Sequence, residues 1–243
     1  MPLASSRPLI EPQRSRKDPT LPAHAVMAFT PQDQQACRSL LSRRWERPHR
    51  IFLADAVAGD FEGTPVAVLG PMLGAPQAVL VMEKAIALGV RRVIAYGWCG
   101  SLQPAVAVGD VVLPTKAFSE EGTSAHYPLQ GPARPSPALL HALRRALAQS
   151  QLTLHEGSVW STDAPYRETE AKVLAYQDRG VLGVEMEMAA LLTVAAFRGI
   201  EFAGVLVVSD DLSHLRWRHG FKDPGFIRTR KRLPQRILQA LSS

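Results

Sequence analysis

Gly183-Val184-Glu185-Met186-Glu187-Met188-Ala189-Ala190 sets two carboxylates and two thioethers at the entrance to a helix. The apolar residues after it predict that helix from about Glu187 to Arg198, with Gly199 as its stop. If the chain is still extended before it, Glu185 and Glu187 point to one side. Two carboxylates on one face are a natural acceptor for the two hydroxyls of a vicinal diol. The helix dipole alone also accounts for an acid at Glu187, so both readings stand. Further on, Val205-Leu206-Val207-Val208-Ser209-Asp210-Asp211 carries a strand to a carboxylate. The carboxyl ends of strands are where open α/β sheets bind ligands, which makes Asp210 a candidate.

Working back from these runs, strands and helices alternate. Ala25–Phe29 is a short buried strand, and Thr30-Pro31 caps and opens a helix predicted to about Arg43, with Ala36, Leu40 and Leu41 inward. Strands follow over Ile51–Ala58 and Val66–Leu69, then a helix from Pro76 to Leu88 ending at Gly89. Val93–Gly97 reads as a central strand, Gly109–Pro114 and Leu152–Val159 as further strands, and Pro137–Ser150 as an amphipathic helix. The predicted fold is a single α/β domain over 23–243, a mixed, largely parallel central β-sheet flanked by helices. Residues 1–22 hold five prolines and little periodicity and read as a flexible N-terminal arm.

Three connecting segments carry candidate binding groups. Gly70-Pro71-Met72-Leu73-Gly74-Ala75-Pro76 joins a strand to a helix, and its backbone N–H groups could approach an anion around Gly70 and Gly74. It lacks the Gly-Lys-Ser/Thr ending of a P-loop and serves equally as a tight turn. Gly97-Trp98-Cys99-Gly100 lets the backbone lie close to a ligand. Trp160-Ser161-Thr162-Asp163-Ala164-Pro165-Tyr166 is predicted as a loop, either a surface turn or an aromatic wall for a flat ring.

The chain has 243 residues, 46% hydrophobic and 21% charged, enough for a substantial core. No apolar run is long enough to span a bilayer and no secretory signal opens the chain. Two distant cysteines, Cys37 and Cys99, point to a reducing, cytoplasmic setting. The net charge of +6 is concentrated in Arg38–Arg50 and Arg216–Arg236. Neither run carries a nucleic-acid motif, so solvated faces are the expectation there.

Taken in order, these motifs resemble the nucleoside phosphorylase superfamily, which holds purine nucleoside phosphorylase, uridine phosphorylase and methylthioadenosine nucleosidase. The resemblance covers roughly residues 25–215. It is carried by Val184–Ala189 and Val207–Asp210, with support from Gly70–Pro76 and Gly89–Val112. It implies that Glu187 accepts from ribose hydroxyls, that Met186 packs on the sugar and that Glu185 helps position the 2′-hydroxyl. It further implies that Asp210 donates a proton towards N7 of a purine, with Trp160, Thr162 and Asp163 on the base side. The implied reaction is N-glycosidic cleavage of a nucleoside, by phosphorolysis to free base and pentose 1-phosphate. Inorganic phosphate is then the co-substrate, with no other cofactor and no metal. The implied assembly is a homo-oligomer.

Departures fall on the anion site. Phosphorolytic members carry an arginine and a hydroxyl residue where this chain has Ala95 and Trp98. Their Gly-Asp-Pro-x-Arg loop is replaced by a segment beginning Phe29-Thr30-Pro31. Hydrolysis by water, or a catalytically silent nucleoside binder, are the alternatives these changes leave.

Overall fold

The computed structural model describes residues 8–243. Residues 1–7, part of the expected arm, lie outside the described residues. Ten strands and six helices follow as β1 (His24–Ala28), α1 (Pro31–Ser39), β2 (His49–Ile51), β3 (Ala54–Phe61), β4 (Thr64–Gly70), α2 (Ala75–Ala87), β5 (Arg92–Ser101) and β6 (Val111–Glu120). The chain continues with α3 (Pro137–Ala148), β7 (Leu154–Thr162), α4 (Glu170–Gln177), β8 (Gly183–Glu185), α5 (Met188–Arg198), β9 (Glu201–Asp211), β10 (Arg218–His219) and α6 (Pro224–Ser242).

The strand order is β10-β9-β6-β7-β8-β5-β1-β4-β3-β2, and β9 also pairs with β5. The run β4-β1-β5-β9 is parallel throughout, while β3, β2 and β10 add antiparallel strands at the two ends. The extra β5–β9 pairing closes β5, β9, β6, β7 and β8 into a ring. Strand alternation then sends Val93, Ala95 and Cys99 of β5 into a core under α2 and α5. Ile94 and Tyr96 go into a second core under α1, α3 and α6. Helices thus cover both faces, and the strand ends of the ring are left to build a site.

Two expectations change. Helix α1 stops at Ser39, and its inward face is Asp33, Gln34 and Cys37, with Leu40 exposed. The polar pair is held in the interior by specific partners, which apolar periodicity does not register. The segment from residue 8 to 22 lies on its own chain: Lys84 of α2 pairs with Asp18 at 2.6 Å, and the buried Leu21 donates its N–H to Leu88 O at 2.9 Å. Among the described residues no helix is long and apolar enough to cross a membrane.

Gly70 ends β4 with φ +146°, and a Cβ there would stand 2.1 Å from Ala28 O. Backbone, not a flexible side chain, is what it would strike. Gly70→Ala is therefore expected to cost about 2–4 kcal/mol, read as a lower denaturation midpoint at unchanged slope.

Candidate active site

The late acidic pair is buried, and its two members do different things. Glu185, the last residue of β8, accepts from Ser161 Oγ on the adjacent strand β7. Its other oxygen takes the N–H groups of Glu187 at 2.6 Å and Met188 at 2.7 Å. Glu185 therefore satisfies the free donors at the start of α5 and pins that helix to β7. The hydroxyl of Ser161 also receives Ala189 N–H at 2.9 Å. Ser161 escapes sequence reading because only strand pairing brings it opposite Glu185.

Glu187 is the N-cap residue of α5, with φ −135° and ψ −27°. Its Oε1 accepts the N–H of Gly74 at 2.6 Å, at the start of α2. Two helix N-termini thus meet at one carboxyl pair. Met186 is half-buried, and its methyl lies 3.9 Å from where a Cβ of Gly74 would stand. Gly74, Met186 and Glu187 thus lie together where α2 and α5 begin. Both carboxyls are pushed above the ordinary glutamate range, first by burial, and Glu187 further by the charge of Glu185.

Asp210 comes to the same end of the ring through a bulge. Cys99 pairs with Val208 but Gly100 pairs with Asp210, so Ser209 is the extra residue. A bulge re-aims the side chains that follow it. Gly100 also pairs with Val184 of β8, which puts Glu185 and Asp210 on the two strands flanking β5, about 10 Å apart across the backbone. Cys99 lies between them: burial first, then the charges of Asp210 and Glu185, raise its thiol well above the usual range. Asp210 Oδ1 accepts from Ser209 Oγ at 2.6 Å, and Oδ2 from Trp217 Nε1 at 2.9 Å.

The base-side expectations need correction. Strand β7 runs on to Thr162, held by pairing to Glu120, so Trp160 and Thr162 are strand residues rather than loop residues. Trp160 is fully buried and stacks on Tyr176 with centroids 4.4 Å apart, a core role. Alternation puts Thr162 on the same side as Trp160, opposite to Ser161, and Thr162 is buried too. Asp163 is exposed; it accepts Gly122 N–H at 2.9 Å, and its charge reaches Glu187.

The glycine and indole of the expected anion site are filled in. A Cβ at Gly97 would meet the Phe29 ring at 2.7 Å. Trp98 faces the other core, where its indole N–H donates to Asp33 Oδ2 at 2.7 Å. Asp33, 1% exposed in its side chain, pairs with Arg230 of α6 at 2.8 Å, and that guanidinium lies 4.6 Å from the Trp98 ring. Thr30 Oγ1 donates to Asp33 Oδ2 at 2.8 Å and accepts Asp33 N–H. Between the 29–32 and 71–77 segments lies a hollow of about 410 Å³ lined by Phe29, Thr30, Gln32, Leu53, Met72 and Gln77 among others, none of them charged.

A closed ring of strands inside a helix-covered mixed sheet, with a buried carboxyl pair at two helix starts and a bulge-borne aspartate nearby, defines a class of α/β protein with a polar cluster at one end of the ring. The chain belongs to the phosphorylase superfamily: the family model described as "Phosphorylase superfamily" matches residues 24–241. Guanosine phosphorylase of Halorubrum lacusprofundi is 32% identical over 64% of this chain and 65% of its own length. Uridine phosphorylase of Klebsiella aerogenes is 30% identical over 75% of this chain and 80% of its own. Purine nucleoside phosphorylase DeoD-type of Geobacillus kaustophilus is 35% identical over 63% and 66%. With the first of these relatives, then, the match spans just under two thirds of the relative's length. The uridine phosphorylase structure from Vibrio fischeri shares the fold with TM-score 0.82 at 23% identity, covering 91% of this chain and 92% of that one.

Proposed function

We propose that this protein is a pentosyltransferase that cleaves the N-glycosidic bond of a nucleoside by phosphorolysis, releasing free base and pentose 1-phosphate. The observation that carries this reading is the meeting of Glu187, Met186 and Gly74 at one end of the ring with Asp210 two strands away. Glu187 grips the sugar hydroxyls, Glu185 fixes the helix that presents it, and Met186 covers the sugar. Breaking the C1′–N bond builds positive charge on the sugar and negative charge on the base. Carboxylates beside the sugar and a hydrogen-bonding acid group beside the base offset the two. The relatives named as guanosine and purine nucleoside phosphorylases support a purine base, and those named as uridine phosphorylases keep pyrimidines in the test. Phosphate is the co-substrate, and the chemistry calls for no other cofactor.

A second reading, hydrolysis, is favoured by one specific feature. The hollow near Gly74 is lined by uncharged residues, and the Phe29 ring occupies the ground next to Gly97. Among the described residues that line it, a phosphate dianion would meet no cation, whereas water needs none. Arg50 is occupied with Leu53 O and Asp55.

Both readings are tested by incubating the protein with inosine, guanosine, adenosine, methylthioadenosine and uridine, with and without phosphate, and following free base. Release that requires phosphate and yields pentose 1-phosphate is the expected result. Release at the same rate without phosphate moves the reaction to hydrolysis, and no release from any substrate overturns both. Exposed Phe52, Leu53, Leu73 and Leu80 support assembly with further copies of the chain, read by sedimentation. The free thiols of Cys37 and Cys99, both buried, are consistent with a reducing, cytoplasmic setting.

A further inference from the structure

We infer that Trp217 is the aromatic wall of the base subsite, its indole face stacking on the heterocycle while its N–H holds Asp210. The inference rests on the glycosidic-cleavage reading and names the residue that recognises a flat base at that same site.

The indole is tied at its edge and open on its faces. Trp217 Nε1 donates to Asp210 Oδ2 at 2.9 Å. An indole N–H lies in the ring plane, so this bond occupies the edge and leaves both π faces uncommitted to Asp210. The residue remains 65% exposed, a large aromatic surface left to solvent.

The other aromatic candidates are used elsewhere. Trp160 is fully buried and stacked on Tyr176. Trp98 gives its N–H to Asp33, and Trp45 packs against the core under α2 and α5. Of the four tryptophans Trp217 alone is exposed. Tyr166 is wholly exposed, but no hydrogen bond or ring contact among the described residues fixes its side chain.

Trp217, by contrast, is held where it stands. His219 pairs with Asp210 and Arg218 with Asp211 in the β9–β10 ladder. Gly220 donates its N–H to Ser209 O at 2.8 Å, so the hairpin is fastened at the bulge that aims Asp210. The His219 and Phe221 rings lie 5.7 and 6.5 Å from the Trp217 ring and stack on each other at 5.9 Å. A ring already in position loses little freedom when a ligand arrives. Stacking on it brings a heterocycle alongside Asp210. Every base has a π face, so such a wall takes purines and pyrimidines alike.

The test uses Trp217→Phe, which keeps an aromatic face, and Trp217→Ala, which does not. Both lose the N–H to Asp210 and should share any loss in kcat, so the difference between them, read in KM, isolates the ring face. Trp217→Ala is expected to raise KM for guanosine about tenfold or more, and Trp217→Phe to stay within about threefold of the wild type. Guanosine should quench the tryptophan emission of the wild type, and Trp217→Phe should lose that quench. Thermal melting reports whether each variant is folded; the quench and its loss in Trp217→Phe decide the matter even if Trp217→Ala melts early. A KM that Trp217→Ala leaves in place, a Trp217→Phe that matches Trp217→Ala in KM, or a quench that persists in Trp217→Phe overturns the assignment. So does a change of sedimentation in Trp217→Ala with KM unmoved, which would make the ring a contact between copies of the chain. A wild type that shows the quench but releases no base removes the cleavage reading and leaves the stacking in place, a distinct result.

Discussion

Glu187→Gln is expected to lower kcat/KM on a ribonucleoside by roughly a hundredfold, the loss expected when a carboxyl group that accepts two hydroxyl donors becomes an amide with a single acceptor oxygen. The gap between ribonucleosides and their deoxy analogues should shrink in parallel, because Glu187 is the group proposed to read those hydroxyls. Stability moves the other way. Burial and the neighbouring Glu185 hold the Glu187 carboxyl above the ordinary value of 4.5. The folded protein therefore binds this proton more tightly than the unfolded chain does. That contribution is complete below pH 4.5 and drains away as pH rises through the range where the buried carboxyl ionises. The melting temperature of the ligand-free wild type is expected to fall as pH climbs from acid towards weakly alkaline, and Glu187→Gln to fall less. Melts at several pH values, set beside steady-state kinetics, check both halves. Identical pH slopes in the two proteins, or kinetics that ignore the substitution, would contradict the placement of Glu187 in a desolvated sugar site.

Asp33→Ala has the largest expected effect on stability. Asp33 is buried; its Oδ1 accepts Nε and Nη2 of Arg230 at 3.0 and 2.8 Å, and its Oδ2 accepts Trp98 Nε1 at 2.7 Å and the Thr30 hydroxyl that caps α1. Removing it strands a half-buried guanidinium and an indole N–H. The expected cost is about 3–5 kcal/mol, a drop of roughly 10 °C or more in melting temperature. Asp33→Ala with Arg230→Met should recover part of it, because the double change leaves no unpaired charge. A melting curve for Asp33→Ala that overlays the wild type would show that the cluster is not the tie between α1, β5 and α6. Within the basic run 216–236, read as solvated from composition, Arg230 is an internal partner of Asp33, while Arg218 pairs with Asp211 at 2.9 Å from a largely exposed position.

The run Gly183–Ala190 held enough local information to announce a carboxylate pair at a helix start, because capping and strand alternation act over a few residues. The same holds for Val205–Asp211 as a buried strand ending in an acid, for Gly74 as a turn that offers its N–H, and for the order of strands and helices that places the chain in its family. Which carboxylate is taken up inside the chain was not local. Glu185 and Glu187 look equivalent in one dimension, and only the pairing of β7 with β8 hands Glu185 to Ser161 and α5. Trp160 illustrates the reverse error: its aromatic loop signature was real, but β6 extends β7 past it and folds the indole into a core. Asp33 and Arg230, far apart in the chain, acquire their chemistry from a contact between distant segments. Ring closure of the sheet and the bulge at Ser209 decide where Asp210 stands, since charge and burial at a site depend on what the rest of the chain packs around it.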